Sequence, residues 1–80
     1  MIVSNESIAM VMDLVRPALL ESGHYTKARG MLQQAIRDCK NQNAARAAQI
    51  LLNDYEHLRD GGCHPYVAMK ITLTHPKDLK

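Results

Sequence analysis

Apolar residues recur at helical spacing in three successive stretches of the chain. The first stretch covers residues 5–22, and its apolar face consists of Ile8, Val11, Met12, Val15 and Leu19. Pro17 lies inside this stretch, and a proline removes a backbone hydrogen bond and disfavours helical geometry at the preceding residue. We therefore expect a first helix that is kinked or broken at Pro17 and that ends at Gly23.

The second and third stretches have cleaner apolar faces, and a short polar segment at residues 41–43 separates them. Over residues 26–40 the apolar face consists of Ala28, Met31, Leu32, Ala35, Ile36 and Cys39. Over residues 43–60 it consists of Ala44, Ala47, Ala48, Leu51, Leu52, Tyr55 and Leu58. Gly61 and Gly62 then end the third stretch. Because the connection is so short, we expect the second and third helices to form an antiparallel hairpin.

The pattern changes over residues 66–74, where large apolar residues occupy every second position. Val67, Met69, Ile71 and Leu73 alternate there with Ala68, Lys70, Thr72 and Thr74. This period of two predicts a β-strand. A single strand leaves backbone groups unpaired on both edges, so it must pair either with residues 1–3 or with another chain. We expect it to form a homodimer interface, with Met69, Ile71 and Leu73 on the buried face.

Together these elements predict a mainly α protein, a compact three-helix domain with one C-terminal strand. Its 80 residues form one small domain, 1–80, and a domain of this size buries only ~60% of the surface that its unfolded chain exposes. No apolar run approaches the ~18 residues of a membrane span, and no signal peptide is recognisable. Two cysteines are too few for a disulfide framework, so we expect a cytoplasmic protein with reduced thiols.

Charge is unevenly distributed, although the net charge is only +2. Residues 23–46 contain five basic side chains and one acidic side chain, whereas residues 1–22 and 47–60 each contain three acidic and one basic. On the second helix the basic side chains that avoid the apolar face are Lys27, Arg29, Arg37 and Lys40. This basic face is a candidate docking site for an acidic protein surface or for a phosphate backbone.

Three apolar residues do not fit the apolar faces of their helices. Met10 and Leu14 fall off the face of the first helix, and Ile50 projects to the polar side of the third. A single exposed apolar residue is normal, but three of them indicate a second apolar surface that could contact a partner.

One segment resembles a known repeat family. Residues 23–28, Gly-His-Tyr-Thr-Lys-Ala, followed by Leu32, Ala35 and Ile36, are similar to the central part of a tetratricopeptide repeat. The likeness covers about one repeat, and the preceding helix departs from the pattern at Met12, Arg16 and Pro17. It implies the packing of a helix pair and a role in protein binding, and it assigns no site residues.

Catalytic and metal-binding chemistry find little support in the sequence. His57, Cys63 and His64 lie close together, and Cys39 or His75 could complete a zinc ligand set, but the usual ligand spacings are missing. Cys63 and His64 are adjacent without a third orienting group, so a nucleophilic pair is not indicated. We expect no catalytic residue, no metal and no cofactor.

The sequence thus predicts a non-enzymatic protein–protein interaction or regulatory protein, adaptor-like or inhibitor-like, that binds a larger protein partner. Its size resembles that of small accessory proteins of bacteria and phages. A core with five methionines and no Phe or Trp is adaptable. The alternative is a dimeric nucleic-acid-binding regulator that uses the basic face of the second helix.

Overall fold

The structure is a computed structural model, and it describes residues 5–38 and 41–74. Within those ranges the chain forms four α-helices: α1 (Asn5–Ser22), α2 (Tyr25–Asp38), α3 (Gln42–Asp60) and α4 (Pro65–Thr74). No described residue belongs to a β-strand. The prediction of three helices with a C-terminal strand is therefore wrong in its last element, which is a fourth helix.

Helix α1 is continuous through Pro17, so of the two predicted alternatives, a kink or a break, the break does not occur. Pro17 lies on the exposed side of α1, as does Asp13, the residue whose carbonyl loses its helical partner. The helix ends as expected at Gly23, which has a φ of +68° and donates its N–H to the carbonyl of Leu19 at 2.9 Å. That left-handed residue turns the chain directly into α2.

The bounds of the middle helices differ slightly from the predicted ones. Helix α2 begins at Tyr25, and the predicted end at residues 39–40 lies outside the described residues. Helix α3 begins at Gln42 because Asn41 is its N-cap, with the side-chain Oδ1 accepting a hydrogen bond from the N–H of Ala44 at 3.1 Å. Helices α2 and α3 pack against each other, as the short connection predicts.

The core lies between all four helices and is built from the predicted faces of the first three. Every residue of the predicted α1 face is buried, and α3 contributes Ala47, Ala48, Leu51, Leu52 and Tyr55. The smaller contribution of α2 consists of the buried Ala28 and Leu32, with Met31, Ala35 and Ile36 partly buried against the cluster. The predicted core contacts of helices one to three are thus confirmed for these residues.

Helix α4 supplies the part of the core that the sequence pattern assigns to a strand. Its buried residues are Ala68, Met69, Thr72 and Leu73, whereas Val67 and Ile71 are exposed. Buried positions at i, i+1, i+4 and i+5 follow the helical period. A strand would place Met69, Ile71 and Leu73 on one face, but the segment is helical and Ile71 is exposed. The prediction that these three residues form a buried dimer strand is therefore wrong.

The glycine pair after α3 sets the position of α4. Gly62 has a φ of +94°, its N–H donates to the carbonyl of Arg59, and the N–H of Cys63 donates to the carbonyl of Leu58. These two hydrogen bonds define a Schellman motif, which closes a helix and reverses the chain. Pro65 then occupies the first position of α4, where the missing N–H costs nothing.

A pair of hydrogen bonds from α1 fixes the other end of α4. The guanidinium of Arg16 donates from Nε at 3.0 Å and from Nη2 at 2.8 Å to the carbonyl of Leu73. Its Nη1 lies 3.2 Å from Oδ1 of Asp13, one turn earlier on α1. Arg16 therefore binds the last turn of α4, where carbonyls have no helical partner.

No helix among the described residues has the length and hydropathy needed to cross a membrane.

Candidate protein-interaction surface

An open apolar groove of about 510 Å³ runs between α1 and α2 and reaches the first turn of α3. Helix α1 contributes Met10, Val11, Asp13, Leu14 and Val15; the other lining residues are Met31, Ala35 and Ala44. Small alanines on two helices keep the groove open, because they leave space that a longer side chain would fill. Asp13 is the one charged residue in this lining.

Two of the predicted contact residues, Met10 and Leu14, form one rim of this groove. Met10 is 51% exposed and Leu14 is 66% exposed. They are four residues apart and therefore lie one above the other on the same side of α1. Since the helix buries a different face, these two apolar side chains are not needed for the core, and the prediction that they lie off the core face is confirmed.

The third predicted contact residue does not belong to this surface. Ile50 is only partly exposed, and it packs against the core cluster. It is not among the residues that line the groove. The sequence does not reveal Met31, Ala35 and Ala44 as groove walls, because all three fit the apolar faces of their helices and their pattern indicates core positions.

The basic residues of α2 are exposed, as predicted, for every member that the structure describes. Lys27, Arg29 and Arg37 are exposed, and Lys40 lies outside the described residues. Arg29 also has a local contact, because its guanidinium carbon lies 6.0 Å from the ring centroid of Tyr25. Tyr25 in turn stacks on Tyr55 with 6.4 Å between ring centroids. Arg29 thus contributes to packing. Lys27 and Arg37 are therefore the better candidates for contact with an acidic partner.

The residues predicted for a dimer strand are distributed over two faces of α4. Met69 and Leu73 are fully buried in the protein's own core, so they are not available to a second chain. Ile71 is 39% exposed and lies one turn from Val67, which is 46% exposed. With Leu20, these are the other large apolar residues exposed in the described part of the chain.

No group of three or more His, Cys, Asp or Glu side chains comes close enough to hold a metal ion in residues 5–38 and 41–74. Cys63 is partly buried against the core. The nearby His64 accepts a hydrogen bond at Nδ1 from the N–H of Tyr66, at 3.2 Å. Its imidazole thus satisfies a backbone donor in the first turn of α4. Cys39 and His75 lie outside the described residues, so the ligand sets that include them stay untested.

Comparisons of the chain with protein-family models, with curated proteins and with solved structures give no significant match. The likeness of residues 23–36 to one tetratricopeptide repeat therefore rests on those residues alone.

Proposed function

We propose that this chain is a non-enzymatic protein-interaction or regulatory protein that binds a larger protein through the α1–α2 groove. The observation that carries the proposal is the exposure of Met10 and Leu14 beside an almost wholly apolar groove. Exposed apolar side chains next to a preformed concave surface are typical of sites that bind another protein.

The shape of the groove favours a helical segment of the partner. Two helices that pack side by side with small residues between them form a channel, and an amphipathic helix can lay its apolar face into such a channel. Met10 of α1 and Met31 of α2 both line the groove, and methionine side chains adapt to partners of different shape.

The test compares two substitutions that each place an aspartate on an exposed apolar position. Leu14→Asp puts a carboxylate on the groove rim, and Val67→Asp puts one on α4, away from the groove. We expect proteins captured from the native host's lysate by the tagged wild-type chain to be lost with Leu14→Asp and retained with Val67→Asp. Retention of the same proteins by Leu14→Asp, or their loss with Val67→Asp alone, would contradict the proposal.

Nucleic-acid binding is the second candidate function, and the exposed Lys27 and Arg37 favour it. Helix α1 lies alongside α2, however, and its acidic residues lower the positive potential that a phosphate backbone would meet. The double substitution Lys27→Glu and Arg37→Glu should abolish retention on heparin if this function is correct, and the salt dependence of retention should be steep. Retention that is weak and unaffected by the double substitution contradicts it.

A further inference from the structure

The exposed sides of α1 and α2 have opposite charge. Helix α1 contains three acidic residues and one basic residue, and α2 contains three basic residues and one acidic residue. No ion pair between described residues joins these two helices, although they pack side by side. The exposed Glu6 and Glu21 on α1, and Lys27 and Arg37 on α2, are therefore available to another molecule.

On α1, one exposed stripe follows the spacing i, i+4, i+8, i+11 and i+15. It consists of Glu6, Met10, Leu14, Pro17 and Glu21. The stripe is thus apolar in its centre and acidic at both ends. One helical face of this kind presents a continuous surface to a neighbouring helix.

The corresponding exposed stripe on α2 is uncharged in its centre and basic at both ends. It consists of Lys27, Gly30, Gln34 and Arg37. Gly30 is the feature that the monomer does not explain. A glycine inside a helix lowers stability relative to alanine, yet a Cβ at Gly30 would meet nothing within 4 Å. The absence of a side chain there allows close approach of another helix.

We infer that the α1–α2 face binds a second copy of this chain. The inference rests on the proposed function, because it takes the same interaction surface and names its occupant when no larger partner is bound. A two-fold axis parallel to the two helices lays α1 of each copy along α2 of the other, in antiparallel orientation. Pro17 of one copy then faces Gly30 of its partner copy, and Leu14 lies between Gly30 and Gln34.

The same axis brings opposite charges together at both ends of the interface. Glu21 and Lys27 flank the two-residue link between α1 and α2, so they lie at the same end of the hairpin. The axis keeps that end in common, which places Glu21 of one copy near Lys27 of the other. At the opposite end the same register places Arg37 level with Met10 and one turn from Glu6, so the long arginine side chain extends along the interface toward that carboxylate. Such complementary pairs fix the register of an interface.

The first test uses Gly30→Gln, a substitution that the monomer tolerates because the space around Gly30 is open and glutamine favours helix. Sedimentation equilibrium of the full chain should give a dimer of the 9.0 kDa chain that weakens by about tenfold or more in Gly30→Gln. Thermal unfolding of a dilute sample should show an equal or higher melting temperature for the variant. A monomer throughout the millimolar range, or a dimer unaffected by Gly30→Gln, overturns the inference.

The second test exchanges charges between the copies. Glu21→Lys and Lys27→Glu should each weaken self-association, because each places like charges in both symmetry-related pairs. An equal mixture of the two variants should restore it, since the introduced lysine of one chain then meets the introduced glutamate of the other, and the native pair forms on the opposite side of the axis. Glu56→Lys, the same charge change on the exposed side of α3, is the matched control and should leave the dimer intact.

The outcomes separate this inference from the proposed function. Failure of the mixture to associate more strongly than either variant overturns the two-fold arrangement. A monomeric protein that still loses its captured partners with Leu14→Asp overturns the self-association and leaves the partner site in place. A dimer that resists Gly30→Gln but breaks with Ile71→Asp would place the contact on α4 and also overturn the inference.

Discussion

Thr72 places a hydroxyl group in the apolar core, where the residue is only 1% exposed. Its Oγ1 has no hydrogen-bond partner among the described residues. A buried hydroxyl without a partner lowers stability by roughly 1–3 kcal/mol, and valine has nearly the same shape without that group. Thr72→Val should therefore raise the free energy of unfolding by about 1 kcal/mol, as measured by urea denaturation.

The neighbouring threonine of α4 provides the control for this substitution. Thr74 is exposed, so Thr74→Val removes a hydroxyl that water can solvate and should leave stability within about 0.5 kcal/mol of the wild type. A loss of stability in Thr72→Val would mean that the hydroxyl donates to a backbone carbonyl one turn earlier, and would contradict the prediction.

Arg16 connects the first and last helices through one side chain. Hydrogen bonds from a charged donor contribute ~1.5–3 kcal/mol when shielded from water, but the Arg16 side chain is 34% exposed, which reduces that value. We expect Arg16→Met to lower the free energy of unfolding by about 1–2 kcal/mol, because the methionine keeps the apolar stem and loses both donors to Leu73. Urea denaturation of the variant gives the value.

Asp13→Asn distinguishes the contact with α4 from the ion pair within α1. The Asp13 side chain is 73% exposed, and an exposed ion pair contributes no more than ~1 kcal/mol. Equal losses from Asp13→Asn and Arg16→Met would show that the ion pair, and not the hydrogen bonds to Leu73, accounts for the effect of Arg16.

At the scale of elements, the sequence predicts α1, α2 and α3 but not α4. Each of the first three has at least four apolar residues at helical spacing, and a strand cannot place those on one face. The ten residues of α4 contain two apolar pairs four apart, 67 with 71 and 69 with 73, which fit an alternating pattern equally well. A helix buries Ala68 and Thr72 on the same side as Met69 and Leu73, whereas a strand would place them on the opposite face. The burial of Ala68 and Thr72 therefore distinguishes the two patterns. Pro65 is the signal in the sequence that favours the helix, since proline is common at the first helical position.

The link between α3 and α4 offers a matched pair of glycines. Gly62→Ala should lower the free energy of unfolding by ~1–2 kcal/mol, since a Cβ disfavours its φ of +94°. Gly61 has a φ of −78°, and a Cβ there would make only ordinary contacts, 3.5 Å at the closest. Gly61→Ala should therefore leave stability unchanged or raise it by up to about 1 kcal/mol. Thermal unfolding of both variants gives the comparison, and equal effects would contradict the Schellman geometry.

At the scale of the whole molecule, the core is more predictable than the surface. Core residues are set by the apolar face of one helix at a time, so the period of the sequence identifies them. The groove is formed by three helices together, and its walls at Met31, Ala35 and Ala44 depend on how far apart those helices pack. The exposure of Met10 and Leu14 is predictable because both lie outside the apolar face of α1. Ile50 also lies outside the apolar face of its helix, yet it is partly buried against the core, so an off-face position alone does not identify a surface residue.

Leu51 tests the packing of the whole molecule, because it is fully buried on α3 and this helix contacts each of the other three. Leu51→Ala should lower the free energy of unfolding by ~2–5 kcal/mol, since it removes apolar contacts and leaves a cavity. A core of this size supplies only ~3–5 kcal/mol in total, so circular-dichroism melts of the variant should show a strongly reduced melting temperature or no folded baseline. Leu20→Ala makes the same chemical change at a side chain that is 54% exposed, and it should cost no more than about 1 kcal/mol. Similar melting temperatures for the two variants would contradict a core centred on α3.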